Sequence, residues 1–334
     1  MTTQKHKVFL SSLKNGYNES LRDGVHWTGS LQTLRSTSKV CVKPNLTFPT
    51  FREGVMTNPE ALEALVVLLK SCTDHITICE SDSGGYNRFS MNEVFEATGI
   101  KEMAKRYGVR IVNLSYAPSR PINVLCGRRT ISVPLPTMLL DETDLFITMP
   151  VPKIHMNTGV SLSLKNQWGI IQIPSLRLKL HPYFDEIIYA VNKALPKSVI
   201  VIDGKFGLTR SGPLKGDVIP LDWLLVSSNM FAADFVCCSL MGIDPFSVPH
   251  LKYALEKEGI ADWSAIETNC DPCEFVAKEK FYLERRWTDY PGLLAFRSRP
   301  LAYLAYESPL AGVLHWLLYR FREPFYDYEA TKRS

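Results

Sequence analysis

The chain has few of the features that mark secreted, membrane-spanning or nucleic-acid-binding proteins. Its eight cysteines form no disulfide framework, because most of them, such as Cys41 and Cys79, lie singly in apolar runs where buried thiols are common. No apolar run is long enough for a signal peptide or a membrane span. The formal charge of +4 is spread along the 334 residues, which disfavours nucleic acid as a partner. We expect a cytoplasmic protein without a transmembrane segment.

Cysteine pairs with metal-ligand spacing are also scarce. Cys270 and Cys273 form one Cys-x-x-Cys, whereas a structural zinc or iron–sulfur site normally requires four ligands. The pattern is typical of two loop thiols, and we expect no iron–sulfur cluster held by this chain alone. A homo-oligomer that joins these thiols to the cysteines of a second copy around a metal stays open.

Hydrophobic periodicity alternates between strand and helix patterns along the chain. Residues 39–43, 75–80, 145–149 and 198–203 are short β-branched or apolar runs, and helical patterns lie between or after them. The helix starts carry capping residues: Asn58 before Pro59, Ser90 with Glu93 ahead of a helix to about Tyr107, Asn229 ahead of a helix to Gly242, and Ser247 ahead of one to Gly259. The alternation predicts an α/β fold with a mostly parallel sheet and helices on both faces.

A shift in composition near residue 280 predicts a division into an α/β domain over 1–280, which could itself form two lobes, and a C-terminal helical extension over 281–334. In the extension, apolar residues could line one helical face with arginines nearby: Leu310, Leu314, Leu317, Leu318 and Phe321, with Arg320 and Arg322. Such a face usually packs on the protein's own core, and a membrane surface or a partner is the alternative.

Polar residues follow four of the predicted strands, where ligands bind in sheets of this type. They are Lys43 and Asn45, Glu80 and Asp82, Lys153 and His155, and Asp203. The segment 153–169 adds Lys165 and Asn166, and a cationic loop after a buried strand suits recognition of carboxylate or phosphate. The alternative is a solvated loop whose lysines face water.

A glycine-rich run, DGKFGLTRSGPLKGD, begins at Asp203. Gly204, Gly212 and Gly216 could let backbone amides approach an anion, although the spacing matches neither a Walker loop nor a dinucleotide fingerprint. A long, turn-rich connection is the other interpretation, and Asp203 could orient a lysine or histidine or cap a turn.

His155, Lys165 and His181 are the strongest chemical signal. Two imidazoles and one amine in one cleft could take a proton, bind a metal or carry a covalent group. His6, His26, His75, His250 and His315 have no polar companions at suggestive spacing, and we interpret them as structural.

From about Val42 to Gly259 the chain resembles the family known as domain of unknown function 362. The matching pieces are VKPN, TNPEALEAL, MPVPKIH through SLKNQWG, the histidine of KLHPYF, the glycine block and the helix with Ala233, Asp234 and MGIDP. Many relatives carry a ferredoxin-like cysteine cluster, which implies electron transfer in them. This chain departs from that arrangement, having only Cys270 and Cys273, so we expect no reductase fed by its own clusters, and an external electron donor stays open.

The order and spacing of His155, Lys165 and His181 also resemble nickel-dependent lactate racemase, as does Lys43-Pro44 after the first strand. That resemblance implies that Lys165 holds a nickel-pincer nucleotide covalently, that one histidine, His181, is a metal ligand, and that another acts as acid or base. Lys43, Lys153 and the glycine block would then hold a phosphate or a carboxylate.

The sequence thus predicts an α/β enzyme with a small anionic ligand and redox or proton-transfer chemistry of the racemase or oxidoreductase type. A non-catalytic binding or accessory protein for a phosphate- or carboxylate-bearing ligand is the alternative. We expect catalysis from His155, Lys165 and His181, and binding of the cofactor or ligand by Lys43, Asn45, Lys153, Asn166, Asp203, Gly204, Gly212 and Gly216.

Overall fold

The computed structural model describes residues 5–83, 89–306, 308–318 and 320–321. The strands are β1 His6–Ser12, β2 Val40–Pro44, β3 Ile76–Glu80, β4 Arg110–Asn113, β5 Ser119–Cys126, β6 Arg129–Pro136, β7 Leu145–Met149, β8 Lys153–His155, β9 Gly159–Ser161, β10 Ser198–Thr209, β11 Asp217–Ser227 and β12 Ile266–Thr268.

The α-helices are α1 Tyr17–Thr28, α2 Pro59–Lys70, α3 Met91–Ala97, α4 Ile100–Tyr107, α5 Thr137–Asp141, α6 Ser163–Asn166, α7 Pro174–Leu180, α8 Phe184–Ala194, α9 Met230–Leu240, α10 Pro249–Glu258, α11 Tyr290–Arg297, α12 Arg299–Tyr306 and α13 Ala311–Leu318. Short 3-10 turns span Leu13–Asn15, Leu114–Tyr116, Gln167–Ile170, His181–Tyr183, Pro245–Ser247, Trp263–Ala265, Pro272–Phe275 and Trp287–Asp289.

One twisted sheet forms the centre of the fold, with the strand order β12-β1-β11-β10-β7-β2-β3-β4. The strands from β10 to β4 run parallel, while β11 pairs antiparallel with both β10 and β1. The small β8–β9 hairpin attaches to β10, and β5–β6 form a separate hairpin. The predicted α/β fold with a mostly parallel sheet is confirmed.

Alternating side chains of the parallel strands enter different cores. Val40 and Val42 of β2 pack with α1 and α2 on one face, whereas Cys41 points to the other face, where α8 lies. Apolar residues of β10 and β11 complete that second face with α9 and α10. Helices therefore cover both faces, as period-two strands buried on both sides require.

The predicted caps are largely confirmed. Asn58, Ser90 and Asn229 each accept a backbone hydrogen bond at a helix start, and Ser90 and Glu93 form the predicted capping box. Two details differ. The helix expected to run to Tyr107 is interrupted at Gly99, whose φ of 74° is left-handed, and α10 begins after Val248 without a side-chain cap, so Ser247 is not its N-cap.

Of the C-terminal helices, α12 packs against α7, α11 packs against the turn that begins at His181, and α13 packs against α12. The predicted apolar face of the tail is only partly covered, because Leu310, Leu317 and Phe321 are exposed while Leu318 faces a cavity. Arg322 lies outside the described residues. The domain boundary near residue 280 stays a prediction.

Candidate functional site

A cavity of about 310 Å³ lies at the carboxyl ends of β2, β3 and β7. Seven of the residues predicted from sequence line it together: Lys43, Asn45, Lys153, His155, Lys165, Asn166 and His181. They come from four separate segments, which the parallel strands bring to one edge because their carboxyl ends coincide. The two imidazoles and the Lys165 amine therefore belong to the same cavity.

A chain of hydrogen bonds forms the floor of this cavity. Lys153 Nζ donates to Asn45 Oδ1 at 2.8 Å, and Asn45 Nδ2 donates to Asn166 Oδ1 at 3.0 Å. Lys43 Nζ reaches the same oxygen at 3.4 Å and forms a buried ion pair with Glu80 at 2.7 Å. Each polar group on the floor is thus fixed by its neighbours, as buried polar groups must be.

Asp234 holds the segment that carries Lys165. Its two carboxylate oxygens accept the backbone N–H groups of Ser163 and Leu164, each at 2.8 Å, at the start of the short helix α6. Burial raises the pKa of Asp234 to about 6, although these backbone N–H groups oppose the shift. The carboxylate fixes the backbone directly before Lys165, so Asp234 positions the amine.

The Lys165 amine is poised between its two protonation states. Burial, together with the charges of Arg177 and Lys43, lowers the pKa of Lys165 to about 7. Among the described residues, Lys165 Nζ has no hydrogen-bond or ion-pair partner. A half-buried amine of this kind is available as a nucleophile, as a base or as a partner for an anion.

Lys153 resembles Lys165 in its lowered pKa but differs in having hydrogen-bond partners. Burial and the charges of Lys165 and Lys43 lower the pKa of Lys153 to about 7 as well. Its Nζ, however, donates to Asn45 and to the carbonyl oxygen of Val55 at 2.7 Å. Lys153 is therefore anchored in the floor, whereas Lys165 is not.

Arg177 on α7 is a site residue that the sequence interpretation missed. It is buried and donates to the carbonyl oxygens of Ile171, Asp82 and Gly169 and to Ser81 Oγ, over 2.6–3.0 Å. Its position four residues before His181 was the available signal, since i and i+4 share a helix face. With Arg177 included, the described residues that line the cavity have four basic side chains, Lys43, Lys153, Lys165 and Arg177, and two acidic ones, Glu80 and Asp289.

His155 presents a proton-bearing nitrogen. Its Nδ1 accepts the backbone N–H of Asn157 at 3.1 Å, so the neutral ring carries its proton on Nε2. Burial, together with the charge of Lys165, lowers the pKa of His155 well below its ordinary value. The ring is therefore neutral near pH 7 and offers an N–H donor.

His181 has the opposite tautomer. Its Nδ1 lies 2.6 Å from the carbonyl oxygen of Arg177, which can only accept, so Nδ1 carries the proton and Nε2 keeps its lone pair. Burial and the charge of Lys165 lower the pKa of His181 to about 3. Phe296 stacks on the ring at 4.2 Å, and Trp168 meets it edge-on at 5.2 Å. His181 is thus a fixed, neutral acceptor.

Asp203 lies elsewhere in the fold. It is buried within β10, where its carboxylate accepts the Tyr17 hydroxyl at 2.8 Å and the backbone N–H groups of Asn58 and Lys205 at 2.7 and 3.2 Å. In the part of the chain that the structure describes, Asp203 does not line the cavity. Its contacts join β10 to α1 and to the start of α2, which is a structural role.

Gly204, Gly212 and Gly216 likewise do not belong to the described lining. A Cβ at Gly204 would lie 2.2 Å from the Trp223 ring, and a Cβ at Gly212 would lie 2.0 Å from the carbonyl oxygen of Ile154. At Gly216 it would lie 2.2 Å from the carbonyl oxygen of Thr209. These glycines are required by close packing of the β10–β11 hairpin, and only Pro213 and Leu214 of this run reach the cavity.

The described residues contain no group of three histidine, cysteine or acidic side chains that could hold a metal ion. Cys270 is half-buried, Cys273 is exposed, and both are free thiols. Glu80 is committed to Lys43, and Asp82 accepts from the backbone of Met91 and from Asn113. The next residues of that loop, Gly84 and Gly85, lie outside the described residues.

The C-terminal helices supply one wall of the cavity, which the sequence interpretation did not foresee. Gly292 and Phe296 of α11 and His315 and Leu318 of α13 line it. His315 Nε2 lies 3.1 Å from the carbonyl oxygen of Ala305. His315, interpreted from sequence as structural, is therefore also a residue of the cavity wall.

The chain is similar to several known proteins. It is 25% identical over 126 residues to the thylakoid-associated protein sll1697 of Synechocystis, a match that covers 36% of this chain and 39% of that protein. A Thermotoga maritima protein of structural genomics origin matches 72% of this chain and 59% of its own length, with 14% identity and a TM-score of 0.44. The lactate racemase apoprotein of Thermoanaerobacterium thermosaccharolyticum matches 72% of this chain and 57% of its own length, with 15% identity and a TM-score of 0.45.

The chain thus spans well under two thirds of the length of each of these relatives. The family described as domain of unknown function (DUF362) matches residues 40–239. This region contains β2 through α9, and with them Lys43, Lys153, His155, Lys165 and His181. The chain therefore belongs to the DUF362 family.

Proposed function

We propose that this protein is an enzyme that binds a small organic anion and moves a proton at it, in chemistry of the racemase or oxidoreductase type. The observation that carries the proposal is the shared cavity of an unpartnered Lys165 amine and two neutral imidazoles in opposite tautomers. A binding pocket alone would need the cations and would not need this arrangement of donor and acceptor.

The excess of basic residues in the lining supports an anionic ligand. Buried lysines whose pKa values lie near 7 gain charge when an anion approaches, because an opposite charge stabilises the protonated amine. Lys165 and the adjacent Lys153 are the residues whose protonated forms an anion would stabilise most. A carboxylate or a phosphate has the size and charge for this role.

Each of the three central residues has a distinct part in proton transfer. Lys165, with a pKa of about 7, can take and return a proton near neutral pH. His155 offers its Nε2–H to an oxygen on which negative charge develops, as a neutral imidazole can. His181 offers its Nε2 lone pair to a hydroxyl hydrogen and so orients it.

The residues also fit the cofactor that the racemase resemblance implies. A metal held within an organic cofactor needs few protein ligands, and the described residues include no cluster of three histidine, cysteine or acidic side chains. Lys165 has a free amine for a covalent link, and His181 has one free nitrogen for coordination. A nickel-pincer nucleotide would supply a hydride acceptor there. This would be an alternative to the proton-transfer roles given above for Lys165 and His181, because both would then hold the cofactor, and His155, the imidazole left free, would take and return the hydroxyl proton.

The test is proton exchange together with intact mass. We would incubate the protein with a panel of 2-hydroxycarboxylates in deuterated water and follow the α-hydrogen signal by NMR. Protein from a host that makes the pincer cofactor would be compared with protein from one that does not, by intact mass and nickel content. Exchange that is lost in Lys165→Met supports the proposal. No exchange with either preparation and no adduct on Lys165 would refute it.

A second candidate is a binding or accessory protein for a phosphate- or carboxylate-bearing ligand, favoured by the cationic lining. The variants His155→Asn and His181→Asn separate the two functions. Asparagine preserves the hydrogen bond that each Nδ1 makes and removes Nε2, so folding should be kept. A binding protein would keep its affinity for the anion in both variants, whereas an enzyme would lose turnover.

A further inference from the structure

The helices α11–α13 and the turn before them carry an exposed apolar surface whose residues do not belong to the cavity lining. We call this surface the C-terminal face; it consists of Trp287, Tyr290, Leu294, Val313, Trp316 and Leu317. Each of these side chains is between 46 and 64% exposed, although each is large and apolar. Exposed apolar groups are common singly, but a cluster of this size on consecutive helices indicates an interaction surface.

The charged residues within the three helices are basic. None of the three helices contains an aspartate or a glutamate, whereas Arg297 closes α11 and Arg299 begins α12. Arg320 follows α13, and its guanidinium lies 4.0 Å from the centre of the Trp316 ring. Helices that lie in the interface of an anionic bilayer typically combine tryptophan, tyrosine and leucine with arginine.

The lengths of the helices decide how they would meet a membrane. Each has eight residues, which corresponds to about 12 Å of helix, far less than the hydrocarbon core. No described helix of the protein is long and apolar enough to span a bilayer. The C-terminal face can therefore only lie flat on a membrane surface.

Two of these helices also form a wall of the cavity, α11 through Gly292 and Phe296 and α13 through Leu318. The outer apolar surface and the candidate site are thus two sides of one layer. We propose that the C-terminal face docks on the surface of an anionic lipid bilayer and so places the cavity beside the membrane. This inference is independent of the chemistry proposed for Lys165 and the two histidines.

The test is co-sedimentation of the full chain with lipid vesicles. We expect binding to vesicles of phosphatidylcholine mixed with phosphatidylglycerol, and weaker binding to phosphatidylcholine alone or at high salt, because salt screens the arginines. The double variant Trp316→Ser/Leu317→Ser should bind about tenfold more weakly, since less apolar surface enters the interface. Arg297→Gln/Arg320→Gln should lose the preference for the anionic lipid.

The matched control is Tyr116→Ser/Leu125→Ser, which removes two exposed apolar side chains far from α11–α13 in sequence. It should bind like the wild type. If the serine pair at 316 and 317 does not fold, as judged by circular dichroism, Val313→Ser replaces it. Equal binding of the control and the face variants would overturn the proposal. An absence of vesicle binding would also overturn the proposal. If the protein instead forms a concentration-dependent dimer that the face variants abolish, the C-terminal face binds a second copy of the chain and not a membrane.

Discussion

Glu80 and Lys43 form a buried ion pair under the cavity, with 2.7 Å between Oε2 and Nζ and almost no exposure of either side chain. Breaking such a pair leaves a charge without compensation in the interior. We expect Glu80→Gln to lower the free energy of unfolding by about 3–5 kcal/mol, as for other buried pairs that lose one partner. Urea unfolding measures this.

The control for that variant is Lys43→Met/Glu80→Gln, which removes both charges. It should be more stable than Glu80→Gln alone, because no isolated cation remains. Phosphate should also stabilise Glu80→Gln more than the wild type, since the anion can replace the lost carboxylate. A Glu80→Gln protein with wild-type stability would contradict the assignment of the pair as buried.

Lys165 should reduce stability at neutral pH. Folding lowers the pKa of Lys165 from 10.5 to about 7, so between these values the unfolded chain binds the proton more tightly and stability rises with pH. Lys165→Met removes this contribution to the slope. We expect it to gain about 1 kcal/mol at pH 7, as seen when functional charges are removed, and little at the alkaline end of the window. Urea unfolding of the wild type and of Lys165→Met, at pH 7 and at the alkaline end of the window, measures the difference in the free energy of unfolding.

The comparison variant is Lys153→Met. Its pKa is also lowered to about 7, but this lysine donates to Asn45 and to Val55, whose oxygens would be left without it. Lys153→Met should therefore gain less than Lys165→Met or lose stability. Equal gains in both variants would show that the hydrogen bonds of Lys153 contribute nothing.

The two site histidines should be neutral and in different tautomers. We expect long-range ¹⁵N NMR spectra at pH 7 to show Nε2–H for His155 and Nδ1–H for His181, because Asn157 donates to the first ring and Arg177 accepts from the second. Both should stay neutral at pH 5, since burial lowers both pKa values. An imidazolium signal from either ring at pH 7 would disprove this.

Asp234 should contribute more to the free energy of unfolding than an ordinary capping residue does. Asp234→Ala leaves the buried N–H groups of Ser163 and Leu164 without their acceptors, and we expect a loss of about 2–4 kcal/mol in the free energy of unfolding. Asp262→Ala is the matched control, because Asp262 accepts from Ser264 at an exposed turn and its loss should have a far smaller effect. Similar losses from the two variants would contradict the positioning role of Asp234.

Much of the fold could be read from local patterns. Asn58 before Pro59, or Ser90 with Glu93, fixes a helix start through hydrogen bonds within a few residues, so the sequence alone contains the information. Four of the seven predicted cavity residues, Lys43, Asn45, Lys153 and His155, were predicted for a related reason. In parallel strands, the carboxyl end of each strand lies at a common edge, so a residue's place after its strand also gives its place in space.

Asp203 shows where that rule fails. The apolar run ends at residue 203, but β10 continues to Thr209 because it pairs with β11 across the glycines. Asp203 therefore lies in mid-strand and not at the end. Phe296 could not be predicted, since it reaches the cavity through the packing of α11 on the rest of the fold, which no local pattern encodes, and Arg177 could be suspected only from its spacing to His181.

The edge-on contact of Trp168 with His181 gives this site an optical reporter of its own. The indole lies almost wholly within the protein, and its Nε1 has no hydrogen-bond partner among the described residues, so its emission depends on whatever fills the space beside the imidazole. Titrating candidate anions against tryptophan fluorescence, with Trp168→Phe as the blank, would screen for the natural ligand before any reaction is known.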